Sequence, residues 1–425
     1  MENLKNKKIA VIGSGISGLG FSYIALKNNL DITLFEKNDY YGGHSNTIDL
    51  NLAGKKIAVD TGFLVHNKIT YPNLIQLFDL LEVEIVDSEM TLSIKVEDEN
   101  FEWGGSDLNT VFGQRSNLLN PYFYHFLYEI IKFNKSSHDY LRWANEDKSR
   151  TLGDLLNHFS YSDRVKDWYL VPMAAAIWST PANKILNFPA HTFLQFCLNH
   201  HLLQVNDRPV WRTIKNGSRN YVSKITEQIK KKKLNSPIQE IRNANGKTIV
   251  VSNNQEEEFD IVVFASHADE TMSLLKSNTK ICDVLSSFKY EKNIAYVHSD
   301  VSFLPKRKSL WSAWNYVNSK KDSAVTVNYL INKLQPLDTD IPVIVTLNPH
   351  REIDKNKLYR VIEYAHPLFD NAAVSSQDKL RDIQGLDGMY FAGAWTGYGF
   401  HEDGLKSAVK VAKHMGLEIP WHEKI

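Results

Sequence analysis

Ile9-Ala10-Val11-Ile12-Gly13-Ser14-Gly15-Ile16-Ser17-Gly18 is the stretch that decides the fold. Its first four residues form a short apolar run, the pattern of a strand buried in a parallel sheet. The glycine turn follows without a spacer. Leu19 to Lys27 then reads as a helix, which Asn28-Asn29 ends, and Asp31 to Phe35 is a second strand closed by Glu36. This is one βαβ unit, and Gly13, Gly15 and Gly18 form G-x-G-x-x-G inside it. Gly13 permits the tight turn, Gly15 lets a diphosphate approach the backbone, and Gly18 lets helix and strand pack closely. The helix N-terminus that follows Ile16 and Ser17 offers free N–H groups and a positive dipole end that suit a phosphate. Glu36 lies 18 residues beyond Gly18, at a strand tip, where an acid binds a ribose hydroxyl pair.

Outward from this unit the pattern changes. From Thr70 to His201 helical segments dominate, including Pro121 to Asn145 and Thr192 to Gln204, with dense aromatics at Tyr122, Phe123, Tyr124, Phe126 and Tyr128. Strands return with Thr248 to Val251 after an Asn245-Gly246 hairpin turn, and Asp260 to Ala265 is a fully apolar strand ending in Ser266-His267. Asn293 to Ser299, Ala324 to Leu330 and Ile341 to Leu347 alternate partially, which predicts a separate antiparallel sheet. Met389 to Gly393 is a last strand, and a helix over about Asp403 to His414 ends the fold. A sheet fed by both ends of the chain implies a discontinuous cofactor domain with a second domain inserted. The expected division is 1–70, 205–285 and 384–425 for the cofactor domain, with 71–204 and 286–383 for the substrate domain.

At 425 residues the chain has room for two domains. Its 49 basic and 49 acidic residues balance, so nothing invites nucleic acid. Lys230 to Lys233 reads as a solvated helix end, the alternative being a contact with anionic lipid head groups. Two cysteines without C-x-x-C exclude a disulfide framework and a dithiol centre. No apolar region precedes the first strand, and no run approaches the ~20 residues that span a bilayer. The expectation is a cytoplasmic protein whose only membrane contact would be peripheral, at the inner face. There is no H-E-x-x-H and no Cys/His cluster, so no metal is expected. His191, His200 and His201 read as surface or core histidines.

Further motifs carry a resemblance. Lys37 to His44 ends in Gly42-Gly43-His44, and Val59-Asp60-Thr61-Gly62-Phe63 follows. Ser236-Pro237-Ile238, Tyr390-Phe391-Ala392-Gly393-Ala394-Trp395 and Gly404-Leu405-Lys406-Ser407-Ala408 complete the set. Together they resemble the FAD enzymes that include amine oxidases, protoporphyrinogen oxidase and phytoene desaturases. The resemblance implies an α/β fold: a discontinuous Rossmann-type FAD-binding domain with an inserted α+β substrate domain, amine oxidase-like. It implies non-covalent FAD, with Gly13, Gly15, Ile16, Ser17, Gly18, Glu36 and Lys37 at the first half of the site. Gly42, Gly43, His44, Thr61, Gly62 and Phe63 would continue it. Pro237 and Ile238 would lie on the adenine side, and Gly393, Ala394, Gly404 and Leu405 beside the flavin. The sequence departs from the family twice: His44 replaces the usual arginine of Gly-Gly-Arg, and Ala394 the usual aspartate.

Pro172-Met173-Ala174-Ala175-Ala176-Ile177-Trp178-Ser179 and Trp395-Thr396-Gly397-Tyr398-Gly399-Phe400-His401-Glu402-Asp403-Gly404 are similar to a bacterial subgroup of FAD proteins. Genes of that subgroup often neighbour cyclopropane-fatty-acid-synthase-like methyltransferases. The implied activity is oxidation of an apolar substrate, a methylated fatty acyl chain being desaturated. The alternatives are a flavin amine oxidase, a redox-neutral double-bond isomerase, and a non-catalytic flavoprotein partner of a lipid methyltransferase. With one glycine fingerprint in view, oxygen or a quinone is the expected electron acceptor. His401 is a candidate proton acceptor or a helix cap, and Glu402 reads as a cap. His66 faces the ring or sits in a loop. Trp395 and Tyr398, with Trp178 and Trp314, are candidates for walling a cavity or for plain core packing.

Overall fold

The computed structural model describes residues 4–178, 182–204, 208–244, 246–275, 279–319 and 322–422. Residues 1–3, Ser179 of the alanine-rich run and Asn245 of the expected turn lie outside the described residues.

Strand β1 (Lys8–Ile12) runs through the glycine turn into helix α1 (Ile16–Lys27), and strand β2 (Asp31–Phe35) pairs in parallel with β1. Helix α1 begins one turn before the expected Leu19. Every residue from Ile16 to Ala25 is buried, and the small residues of the first turn are there for space: a Cβ on Gly18 would lie 1.9 Å from the Gly13 carbonyl oxygen. A hairpin (Thr47–Leu52 and Lys55–Asp60) and helix α2 (Pro72–Leu80) follow. The chain then leaves for strands β3 (Leu92–Val96) and β4 (Phe101–Gly104), helix α3 (Pro121–Glu146) and shorter helices ending at Asn199. It returns with helix α4 (Arg219–Thr226), strand β5 (Lys231–Lys233), a three-stranded meander over 238–259, and strand β6 (Ile261–Phe264). Strands β7 (Tyr290–His298), β8 (Trp314–Ser319), β9 (Asp322–Leu330), β10 (Ile344–Leu347) and β11 (Leu358–Pro367) form the second excursion. Strand β12 (Met389–Phe391) and helix α5 (His401–His414) complete the first layer.

Four apolar strands and the lysine strand β5 at one edge form a five-stranded parallel sheet in the order β5-β2-β1-β6-β12. The strands of the two excursions form a seven-stranded sheet, β11-β7-β10-β9-β8-β3-β4, antiparallel except where β8 meets β3. Leu74, Leu77 and Phe78 of α2, Tyr221 and Ile225 of α4 and Leu405 and Ala408 of α5 share one core with α1. A second core beside the larger sheet holds Phe123, Phe126, Trp168, Phe193 and Phe196.

Two expectations are corrected. Lys230 to Lys233 is no helix end: Lys231–Lys233 is the edge strand β5, where Lys231 pairs with Asp31 and Lys233 with Glu257. An edge strand lined with lysine discourages further strand pairing. The helix expected over Thr192–Gln204 runs Ala190–Asn199. His201 takes φ +54° and the Leu202 N–H returns to the Cys197 carbonyl, a left-handed helix end.

Candidate functional site

The glycine turn is shaped unequally. Gly13 has φ +100°, and a Cβ there would lie 2.7 Å from the Ala265 carbonyl oxygen. Gly15 is the reverse case: an added Cβ would meet nothing within 4 Å. The turn therefore keeps one open face, directly before the first turn of α1. That first turn has no capping side chain and no acid, so its dipole end and N–H groups are left for an outside anion.

The other expected segments converge on this opening. A Cβ on Gly43 would lie 3.2 Å from the Gly15 Cα. The Phe63 N–H donates to the His44 carbonyl, which a Cβ on Gly62 would strike at 2.2 Å. At the start of α5, a Cβ on Gly404 would lie 2.7 Å from Ile16 Cγ2, 2.9 Å from Ser17 Oγ and 3.7 Å from the Ala394 N. The Gly393 N–H donates to Ser407 Oγ. Leu405 is a core plug: a Cβ on Gly20 would lie 2.5 Å from its Cδ1.

Glu36 is buried at the tip of β2. It accepts hydrogen bonds from Ser14 N (3.0 Å), Ser14 Oγ (2.5 Å) and Asn38 N (3.0 Å). The carboxylate thus fixes the turn as well as facing it. Ser236-Pro237 lies alongside, with the Ser236 N–H on the Glu36 carbonyl, and Ile238 opens the meander. Lys37 pairs with Glu270 at the surface.

The catalytic candidates fall in different places. His401 stacks on Phe63, centroids 3.8 Å apart. Its Nε2 lies 2.8 Å from the Tyr221 hydroxyl and 3.0 Å from Ser45 Oγ, which lie 2.6 Å from each other. Burial pushes this imidazole down to about 3. It is a neutral ring hydrogen-bonded to two hydroxyls, with little drive to take a proton. His66 is fully buried with neither ring nitrogen partnered, edge-on to Phe78 at 5.3 Å, and burial lowers it to about 4. Trp395 packs into the core on Phe288 at 4.6 Å and donates to the Ser266 carbonyl at 3.2 Å. Tyr398 belongs to an aromatic group: the Trp178 indole N–H lies 3.3 Å from its carbonyl, its ring is 5.8 Å from Phe196, and Phe196 stacks on Phe400 at 4.7 Å. This group carries the second core up to the start of α5. Trp314 packs edge-on to Tyr329 at 5.4 Å.

Three carboxylates near the site do structural work. Asp403 Oδ2 caps α5 by accepting from the Phe400 N–H. Glu402 turns away and caps α2, accepting from Asn73 N, Asn73 Nδ2 and Leu74 N. Asp60 ties the hairpin to the loop before α4, accepting from Thr47 Oγ1, Ser218 N, Ser218 Oγ and Gln335 Nε2. Burial raises Glu402 to about 7 and Asp60 and Asp403 to about 6.

Sequence reading missed four contributors: Ser45, Tyr221, Tyr364 and His366. Thr61 Oγ1 lies 2.7 Å from the Tyr364 hydroxyl, which accepts from Asn46 Nδ2 at 3.2 Å. Tyr364 stacks on His44 at 4.9 Å. Tyr364 and His366 are two apart on β11, on one face of a strand; that spacing was the available signal. Among the described residues, no group of three or more His, Cys, Asp or Glu is placed to hold a metal ion. No described helix is long and apolar enough to cross a membrane.

Residues 11–81 match the family described as the NAD(P)-binding Rossmann-like domain. No curated protein matches the chain in sequence. Solved structures match it in fold over nearly its whole length. A protein of Exiguobacterium sp. 255-15, provisionally assigned as a protoporphyrinogen oxidase, is 15% identical, with 96% of this chain and 98% of that one covered and a TM-score of 0.68. Cyclohexylamine oxidase from Brevibacterium oxydans IH-35A is 14% identical, with 96% and 99% covered and a TM-score of 0.68. A fatty acid isomerase from P. acnes that produces CLA is 12% identical, with 96% and 99% covered and a TM-score of 0.66. The fold is amine oxidase-like: a Rossmann-type layer built from separated segments, with a mixed α/β region inserted.

Proposed function

We propose that this chain is an FAD-dependent oxidoreductase that takes hydride from a C–H bond of an apolar substrate, an acyl lipid first among them. The observation that carries the flavin part is the open face at Gly15, with Gly43 resting against it, the Gly62 turn behind His44 and the start of α5 against Ile16 and Ser17. An FAD fits these residues by its chemistry. The first turn of α1 offers N–H groups and a dipole end to the diphosphate. Glu36 has an acceptor oxygen, Oε1, that holds only the Asn38 N–H and offers lone pairs to a ribose hydroxyl. The start of α5 presents its positive end beside Gly393-Ala394, where it would stabilise negative charge on a ring.

When bound, the flavin supplies a hydride acceptor. The residues of this chain bind and orient. The aromatic group of Trp178, Phe196, Tyr398 and Phe400 supports an apolar substrate beside α5, because buried methylene surface gains about 0.8 kcal/mol per CH₂. His401 holds Ser45 and Tyr221 in place beneath Phe63. Oxygen or a quinone is the proposed electron acceptor, and the proposed setting is cytoplasmic with peripheral contact to lipid.

Two further readings have an observation each. Likeness in fold to the fatty acid isomerase favours a redox-neutral shift of a double bond. Likeness to cyclohexylamine oxidase favours amine oxidation. One experiment separates all three. The purified protein is mixed without oxygen with acyl lipids and with alkylamines, and flavin absorbance is followed beside product analysis. Lasting bleaching by acyl lipids supports the proposal. Bleaching by amines alone replaces it with amine oxidation, and a moved double bond without lasting bleaching replaces it with isomerisation.

A further inference from the structure

Three histidines from separate segments meet beside the dinucleotide turn. His44 follows Gly42-Gly43, which rests on Gly15. His267 follows Ala265-Ser266, which rests on Gly13: a Cβ on Gly13 would lie 3.2 Å from the Ser266 N. His366 arrives from β11 of the second sheet. The His44 ring centroid is 5.2 Å from that of His366 and 6.2 Å from that of His267.

Each ring is held from behind. His44 stacks on Tyr364 and His267 stacks on Tyr290 at 4.4 Å. Asn293 Nδ2 donates to His366 Nδ1 at 2.9 Å, which leaves the proton of the neutral His366 ring on Nε2. His44 Nε2 is buried and has no hydrogen-bond partner among the described residues. Packing alone does not account for this set, because apolar rings would fill the same space without a dry ring nitrogen, which costs about 1–3 kcal/mol.

The charges around the trio are few and of known sign. Burial first, and then the other histidines, hold His44 well below the usual imidazole range, and burial lowers His366 to about 4. His401 also faces His44. Burial lowers His267 as well, while Glu270 and Asp269, facing it from the helix Ala268–Leu274, pull it upward and Lys37 opposes them. Glu270 already pairs with Lys37 at 2.5 Å. The Tyr290 and Tyr364 phenols are raised by burial and stay protonated. An anion entering here would favour the charged form of each imidazole and offset both the burial and the mutual repulsion.

We propose that His44, His267 and His366 form the wall that receives the FAD diphosphate, and that FAD binding draws a proton onto this trio. The site does with a shared proton what a fixed arginine charge would otherwise do. The inference rests on the flavoprotein reading above. It makes FAD affinity rise on acidification, by up to about tenfold per pH unit, in the range above about 4 where the flavin-free His366 is neutral.

The test is calorimetry of FAD binding to flavin-free protein near neutral pH, in two buffers of different ionisation heat. The difference counts protons. We expect uptake of about one proton per FAD in the natural chain. His366→Asn, which lies outside the parallel sheet and outside the glycine turn, is expected to lose at least half of that uptake and to flatten the pH dependence of affinity. His267→Asn is the second variant, and riboflavin, which has no diphosphate, is expected to bind without uptake. FAD binding with no proton uptake, or uptake undiminished in both variants, overturns this proposal alone. Absence of any FAD binding overturns the flavoprotein reading and this proposal with it.

Discussion

Gly15→Val separates the role of the glycine turn in binding from its role in folding. Gly15 has φ −64° and ψ 178°, an extended backbone that valine adopts readily, and its added Cβ meets nothing within 4 Å. The folded chain therefore loses little: about 1 kcal/mol or less, for a poorer residue at the helix N-cap. FAD loses far more, because the two methyl groups fill the space before the first turn of α1. Losing two charge-assisted bonds to the diphosphate costs about 3–6 kcal/mol, or roughly 10²–10⁴-fold in Kd. Gly18→Ala is the opposite case. Its Cβ would lie 1.9 Å from the Gly13 carbonyl oxygen, a backbone atom that cannot step aside. Overpacking of this kind costs about 1–3 kcal/mol or more. The assays are the flavin absorbance retained on purification, fluorescence titration with FAD, and thermal melting of flavin-free protein. Full FAD occupancy in Gly15→Val would refute the reasoning. So would a flavin-free Gly15→Val protein that melts as early as Gly18→Ala, because the open face would then not exist.

Glu36→Ala is expected to weaken FAD binding by roughly 10–100-fold. It should also lower the melting temperature of flavin-free protein, since Ser14 loses its anchor; weaker binding with unchanged melting would limit the carboxylate to the cofactor. Glu402→Ala should cost about 2–4 kcal/mol by uncapping α2, read from denaturant midpoints, with Glu402→Gln costing less. Burial raises Glu402 to about 7, so its stabilising contribution is complete below the ordinary carboxylate value and lost as pH rises through 7. Stability of Glu402→Gln should accordingly vary less between about pH 6 and 8 than that of the natural chain. Acid should also destabilise the flavin-free protein: burial holds His66, His200, His298 and His366 at about 4 and His401 at about 3. Their contribution is present above the ordinary imidazole value and lost on acidification, about 2 kcal/mol each by pH 5. Asp60, Glu402 and Asp403 pull the other way and return part of it. A melting temperature that rises from pH 7 to pH 5 would contradict the balance. NADH and NADPH are expected to reduce the flavin slowly in stopped flow, and rapid reduction by either would point to a reductase.

What was legible in the sequence was whatever short-range chemistry enforces. The apolar strand, the glycine spacing and the acid at the strand tip sit within 28 residues, from Ile9 to Glu36, and each admits few substitutes. Four strands of the parallel sheet and three of the larger sheet were visible: the run Ile261–Phe264 is buried throughout, while Tyr290–His298 alternates in part; Leu92–Val96, Phe101–Gly104, Trp314–Ser319 and Leu358–Pro367 were not read as strands. The missed boundaries have local causes. Helix α1 starts early because serine and glycine, poor helix formers by propensity, are the residues small enough for its first turn. Four consecutive lysines looked like a helix end because a polar edge strand leaves no apolar alternation to read.

The site was less legible than the fold because its side chains are paired across long stretches of chain. His401 read equally as a proton acceptor or a helix cap by its place before the last helix; its partners, Ser45 and Tyr221, lie 356 and 180 positions away, and burial keeps it neutral. Glu402, its neighbour, caps a helix 329 positions away. Adjacent residues on a helix point about 100° apart, so one position facing the site says nothing about the next. His44 shows the converse. Sequence placed it in the cofactor site but as a departure from arginine, with one phosphate contact missing. In the structure the gap is occupied: His267 and His366 stand beside it, from two segments that no local pattern connects. A substitution that removes a fixed charge is thus best read with the titratable groups that the fold brings to the same place, since three neutral imidazoles can supply on demand the charge that one arginine would carry permanently.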